Sequence, residues 1–240
     1  MADKQKNVAS TEAADIVERA RGFWVSNSKK IIIAGSAVIL VLGSILGYKY
    51  LVSIPNEKTA NDLIFPAEKL FGKMASESSY NKDTVNMVLN GDKANAITGL
   101  LKVAGSYGGT QSGNRAEYMI GVCYLQLKQF DKAIKHLKTF DANGATQVQS
   151  KAYLLLGRAY AEQKKADEAL SFYQKAGSIS GLDDGMATEA LFIAGRYADA
   201  MGKTKEAIEI FQNLKDKYPA SQHVSSGDVD KYLAVLGATK

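Results

Sequence analysis

Apolar residues along this chain follow three different patterns. From Ile31 to Tyr48 the sequence IIIAGSAVILVLGSILGY runs 18 residues without a charge. As a helix at about 1.5 Å per residue it is roughly 27 Å long, close to the hydrocarbon thickness of a bilayer. Leu51, Val52 and Ile54 can lengthen it while Lys49 snorkels, so a transmembrane anchor is expected over 31–54. No small-residue cleavage site follows the run, which argues against a signal peptide. Phe23 and Trp24 before it, and Tyr48 and Tyr50 after it, stand where amphipathic rings favour the headgroup level.

Ahead of the anchor, residues 1–9 are polar and expected to be unstructured. Ser10 is a candidate cap for a short helix in which Ala13, Ile16, Val17, Ala20, Phe23 and Trp24 recur at three- and four-residue steps. That stripe suits a helix lying on the inner membrane surface or a docking face for a membrane partner.

Past the anchor, Pro55 is expected to break the helix. A helical period then resumes over 56–74 through Ala60, Leu63, Ile64, Ala67, Leu70, Phe71 and Met74, bent or interrupted at Pro66. SESSYNKDTVNMVLNGD reads as less regular, followed by a helix from about Lys93 to Val103 and a loop punctuated by Gly105, Gly108, Gly109 and Gly113. No strand-like alternation stands out.

From Asn114 the chain repeats, in units beginning near Asn114, Ser150 and Thr188. The first carries Ile120-Gly121, Tyr124, Ala133 and Leu137; the second Leu156-Gly157, Tyr160, Ala169 and Tyr173; the third Ala194-Gly195, Ala198, Ala207 and Phe211, closed by Pro219. Polar turns fall at 127–131, 162–167 and 200–205. The pattern resembles the L-G-x-x-Y, A-x-x-x-F and terminal P signature of tetratricopeptide repeats, in a degenerate form with Glu117, Tyr153 and Leu191 at the tryptophan position. Small residues there let two antiparallel helices approach closely while larger ones fill the gap to the next hairpin. The expected fold is all-α: a cytoplasmic tail (1–30), the anchor (31–54), an irregular helical N-terminal cap (55–113), three repeats (114–222) and a capping helix (223–240) in which Ser226 is the candidate N-cap.

Charge adds little to this picture. The net +5 divides into +2 before the anchor, +1 at Lys49 and +2 beyond, and basic residues interleave with acids, so no face suited to nucleic acid is expected. Arg19, Arg21, Lys29 and Lys30 precede the anchor against Lys49, Lys58 and Lys69 after it, which favours a cytoplasmic N-terminus and a translocated repeat domain. Cys123 is the single cysteine and is expected to be a small buried residue. His136 is expected on the surface and His223 in a polar loop. The sequence has no Walker, HExxH, GxSxG or paired-cysteine spacing, so neither an enzyme nor a cofactor or metal site is expected.

In such a stack the inner groove is lined by first-helix residues. Here these are Arg115, Tyr118, Val122 and Gln126, then Lys151, Leu154, Arg158 and Ala161, then Glu189, Phe192, Arg196 and Asp199. Arg115, Tyr118, Leu154, Arg158, Phe192 and Arg196 are the candidate partner contacts, suited to an amphipathic helix or an extended peptide with acidic character. A groove left to solvent, or filled by the chain's own tail, is the alternative. In the anchor, Gly35, Gly43 and Gly47, with Ala34, Ser36 and Ser44, offer a small face for helix pairing, although glycine is common in such helices generally.

The tail, the Phe23-Trp24 pair, the 27–30 stretch, the anchor ending Gly47-Tyr48-Lys49-Tyr50 and the degenerate repeats together resemble the YfgM family, an ancillary subunit of the bacterial SecYEG translocon. DLIFPAEKLFG and the later SYGGT resemble the form found in the Bacteroidetes group. The resemblance implies an inner-membrane protein with periplasmic repeats. Its partners would be SecYEG, a membrane-anchored PpiD-like chaperone and secreted polypeptides on their way to other chaperones. A scaffold for an unrelated envelope machine, or a cytosol-facing organelle receptor, fits the same repeats.

Overall fold

The computed structural model describes residues 2–238, with side chains from Ile16 onward. Contacts divide the chain into two units, Met1–Pro55 and Asn56–Lys240. In the first, α1 (Ala2–Tyr48) is one continuous helix. It includes residues 2–9 and runs through Ser10, so that serine is not an N-cap and no separate short helix precedes the anchor. At 1.5 Å per residue α1 is about 70 Å long, more than twice a bilayer's hydrocarbon. A helix lying in the membrane plane would need a break before the apolar run, and α1 has none. Its apolar run is nowhere buried, so by length and composition α1 is able to cross a membrane.

Pro55 does not end the helix. A π-helical turn, Lys49–Ser53, leads into α2 (Ile54–Ser76), and the Ile54 N–H reaches back five residues to the Lys49 carbonyl. Proline has no N–H and its ring crowds the carbonyl four residues earlier; one widened turn beside it lets the helix continue. Pro66 likewise sits inside α2 without interrupting it. The carbonyl left without an intrahelical partner belongs to exposed Asp62, where water can serve it.

The remaining elements are α3 (Lys82–Asn90), α4 (Leu100–Tyr107), α5 (Gln111–Gln126), α6 (Phe130–Thr139), α7 (Thr146–Glu162), α8 (Ala166–Gly177), α9 (Asp184–Ala200), α10 (Thr204–Lys217), α11 (Gln222–Ser225) and α12 (Asp228–Val235). SESSYNKDTVNMVLNGD is more ordered than its polar look predicts. Asn81 caps α3 by accepting from the Asp83 N–H at 2.8 Å, which buries Val85, Val88 and Leu89. Beyond α3 the expected helix start is displaced: Gly91–Asp92 pairs antiparallel with Ile97–Thr98, and α4 begins only at Leu100. This pairing is too short to show a period. The backbone crosses so closely there that a Cβ on Gly99 would lie 2.3 Å from the Asn90 carbonyl carbon.

Helices α5, α7 and α9 begin at 111, 146 and 184, three or four residues ahead of the repeat starts read from the sequence. For α5 and α9 the reason is capping outside the repeated positions, whereas α7 starts after Ala145 without a side-chain cap. Thr110 accepts from the Gly113 N–H at 2.9 Å and Asp183 from the Met186 N–H at 3.2 Å. Within each hairpin the same contact recurs. A Cβ on Gly121 would sit 2.5 Å from Leu137 Cγ, one on Gly157 2.5 Å from Tyr173 Cε1, and one on Gly195 2.7 Å from Phe211 Cε1. Ala133, Ala169 and Ala207 are fully buried beside these seats. The turns recur as well: Gln129, Lys165 and Lys203 donate their N–H to the carbonyls of Tyr124, Tyr160 and Ala198 at 2.8, 3.0 and 2.9 Å. Left-handed residues Lys128, Lys164 and Gly202 precede the donors. At the far end, Gly227 (φ +77°) and not Ser226 occupies the cap position of α12; the Ser226 hydroxyl donates to the Asp228 carboxylate at 2.7 Å.

Candidate functional site

Within the second unit the first helices α5, α7 and α9 touch in succession, with α11 against α9, so their outward residues share one face. At its N-terminal end this face meets α2. The Glu57 carboxylate accepts from the N–H groups of Gln111 (2.6 Å) and Ser112 (3.0 Å) and from the Ser112 hydroxyl (2.7 Å). A carboxylate from a distant helix thus serves the otherwise unpaired N–H groups that open α5. Burial pushes the Glu57 carboxyl up, but the Ser112 hydroxyl, the two N–H groups and Arg115 outweigh it and hold it below the ordinary range.

Arg115 is already engaged. Its Nε lies 3.2 Å from Glu68, and another guanidinium nitrogen reaches Asn61 at 3.1 Å. Tyr118 is half-buried, packed on Phe140 with ring centroids 5.3 Å apart, and burial raises its phenol. It lines two apolar cavities. One, of about 350 Å³, is walled by Glu68, Phe71, Gly72, Met119, Phe140 and Val148. The other, of about 340 Å³, lies among Phe71, Tyr80, Val122, Lys151, Leu154 and Leu155. Leu154 therefore joins Tyr118 in one cavity, while Arg158, one turn further along α7, is exposed and has no ion pair among the described residues.

The C-terminal end of the face is covered. Phe192 is buried beneath the His223 ring, stacked at 4.0 Å and within 8° of parallel, with Tyr232 edge-on at 5.6 Å. His223 bonds Glu189 at 2.8 Å, and Arg196 lies over the Phe192 ring at 6.0 Å. His223 is thus in the short helix α11, not a polar loop, because a ring flat on Phe192 buries more than one left in water. His136 departs from its surface reading too: it hydrogen-bonds Glu117 at 2.6 Å and stacks on Tyr124. Cys123 is fully buried, and burial pushes its thiol up to about 12, so no reactive thiolate is present at neutral pH.

Of the six sequence-derived contacts, Tyr118 and Leu154 are brought together, Arg158 is exposed one turn further along α7, Arg115 is tied to α2, Phe192 lies beneath His223, and Arg196 is exposed over the Phe192 ring. Phe71, Tyr80 and His223 line the face without having been picked out in the sequence. Phe71 was visible in the helical period of 56–74, but periodicity does not say which later helix a residue meets. In the apolar helix, a Cβ on Gly35, Gly43 or Gly47 meets no atom within 4 Å, and the Ser44 hydroxyl is turned back to the Leu40 carbonyl.

A stack of helical hairpins with a side-chain-lined face is the architecture of a repeat scaffold for protein interaction. The chain belongs to the family of the tetratricopeptide repeat-like domain, which matches over residues 21–229. Among solved structures it is similar to a Podosopora anserina putative kinesin light chain with nearly identical TPR-like repeats. That likeness has 17% identity and a TM-score of 0.52, over 72% of this chain and 84% of that one. At such identity it shows the fold alone. A MamA protein superposes more loosely, at 17% identity and a TM-score of 0.49 over 74% of this chain and 85% of that one. No curated protein matches the chain in sequence.

Proposed function

We propose that this protein is a membrane-anchored interaction subunit that works beside the SecYEG translocon and a PpiD-like chaperone in the handover of secreted polypeptides. In this reading α1 spans the bacterial inner membrane, with the N-terminus cytoplasmic and the repeats periplasmic. The observation that carries it is the pairing, in one chain, of an apolar helix able to cross a bilayer with a repeat face left open at α7. The resemblance of the anchor region and repeat glycines to the YfgM family supports the choice of partners. The basic residues Lys29 and Lys30 directly before the apolar run support the orientation. The working principle is effective concentration: an anchor beside partner helices and a face holding a second partner reinforce each other without a tight single site.

Photocrosslinking in vivo from Gly43, Tyr118 and Arg158, with adducts identified by mass spectrometry, tests this reading. Capture of SecY or a PpiD-like protein is the expected result. Reproducible capture of other envelope proteins alone overturns it in favour of an envelope scaffold.

A further inference from the structure

The open part of the first-helix face is short. At one end α2 overlies it, with Phe71 and Ala75 against the cavity of Tyr118 and with Arg115 bound to Glu68. At the other end His223 is stacked over Phe192. Between the two lie Lys151 and Leu154 of α7, with Val122 and Gln126 of α5 beside them, and exposed Arg158 stands one turn beyond Leu154. Lys151 and Arg158 are seven positions apart on α7, about 10 Å along the helix axis. Extended chain covers that distance in about three residues, and a helix in about two turns. Inside the window is an apolar cavity of about 340 Å³, room for one large side chain. At its borders stand two exposed cations, Lys151 and Arg158, with no ion pair among the described residues; exposed Glu162, one turn beyond Arg158, is not paired with it.

Resting on the reading of this face as a partner site, we propose that its occupant is a short acidic linear segment of a partner protein. That segment places one aromatic or branched aliphatic side chain in the cavity of Phe71, Tyr80, Tyr118 and Leu154, and carboxylates opposite Lys151 and Arg158. The cavity supplies the anchor and excludes water from it, while the two cations set register and reject basic segments.

The test uses the full chain in detergent micelles and three fluorescein-labelled peptides read by anisotropy. GSEDFEDG carries anchor and charge, GSKKFKKG reverses the charge, and GSEDGEDG lacks the anchor. GSEDFEDG should bind about tenfold more tightly than either control. Arg158→Glu and Lys151→Glu, both exposed, should each weaken it by about fivefold with unchanged circular dichroism. Equal binding of a control peptide, or no effect of either substitution, overturns the proposal. If GSEDFEDG does not bind while Arg158 still crosslinks to a partner in cells, this chemistry falls and the interaction reading stands. If neither occurs, both fall.

Discussion

The repeats from α5 to α10 and the segment from α2 to α4 bury their apolar residues in one continuous core, yet by different means. In the repeats one device is used three times: a glycine on the first helix receives a large side chain sixteen residues on, at Leu137, Tyr173 and Phe211. The α2–α4 segment uses contacts that occur once each, namely the Glu57 carboxylate at the start of α5, the Arg115–Glu68 pair, and the backbone crossing at Gly99. Recurring contacts leave a period in the sequence and single ones do not. Removing a seat should therefore cost far more than removing a polar tie.

The largest effect is expected at Phe211, fully buried in the Gly195 seat. Phe211→Ala should lower stability by about 3–5 kcal/mol in denaturant titration of the detergent-solubilised chain, because transfer and cavity losses add. Filling a seat should cost less. Gly157→Ala places a methyl 2.5 Å from the Tyr173 ring, and about 1–3 kcal/mol is expected from the same titration.

Glu57→Gln sharpens the contrast by touching only the segment before the repeats. It should lower stability at neutral pH by about 1 kcal/mol. Because the folded-state carboxyl is depressed, its contribution is complete above its ordinary value of 4.5 and is lost as pH falls through the folded value. Melting curves from pH 7 to 3 should therefore be steeper for the parent than for Glu57→Gln. Equal slopes would mean that this carboxylate does not cap α5.

The smallest effect has the opposite sign. Lys128 and Lys164 hold left-handed angles (φ +57° and +60°) at the turn position where the third repeat has Gly202. Lys128→Gly and Lys164→Gly should each stabilise by about 0.5–1 kcal/mol, since glycine takes that conformation without the side-chain clash. Thermal melting of the single and double variants checks both sign and additivity.

What was legible in the sequence follows the same division. Gly121, Gly157 and Gly195 disclosed the hairpins and their order because steric need repeated at near-constant spacing. The length of the apolar run disclosed the membrane-compatible part of α1, but not that the helix continues back to Ala2. The π turn before Pro55 was not legible, since proline ordinarily signals a break and only the neighbouring turn shows how it is accommodated. On the candidate face, Tyr118, Leu154 and Arg158 were reachable by counting within the repeat. Their setting was not: that α2 engages Arg115, and that His223 caps Phe192, depends on side chains 47 and 31 positions away and on no periodic signal.

On the proposed function the face admits a partner at α7, while the chain's own His223 covers it at Phe192 of α9. Placing a photocrosslinking residue in turn at Arg158 and at Phe192 in cells, and comparing adducts by mass, tests it most directly. Intermolecular adducts are expected from position 158, and only linkage within the chain, to the segment around His223, from position 192. Partner adducts from position 192 matching or exceeding those from position 158 would contradict it.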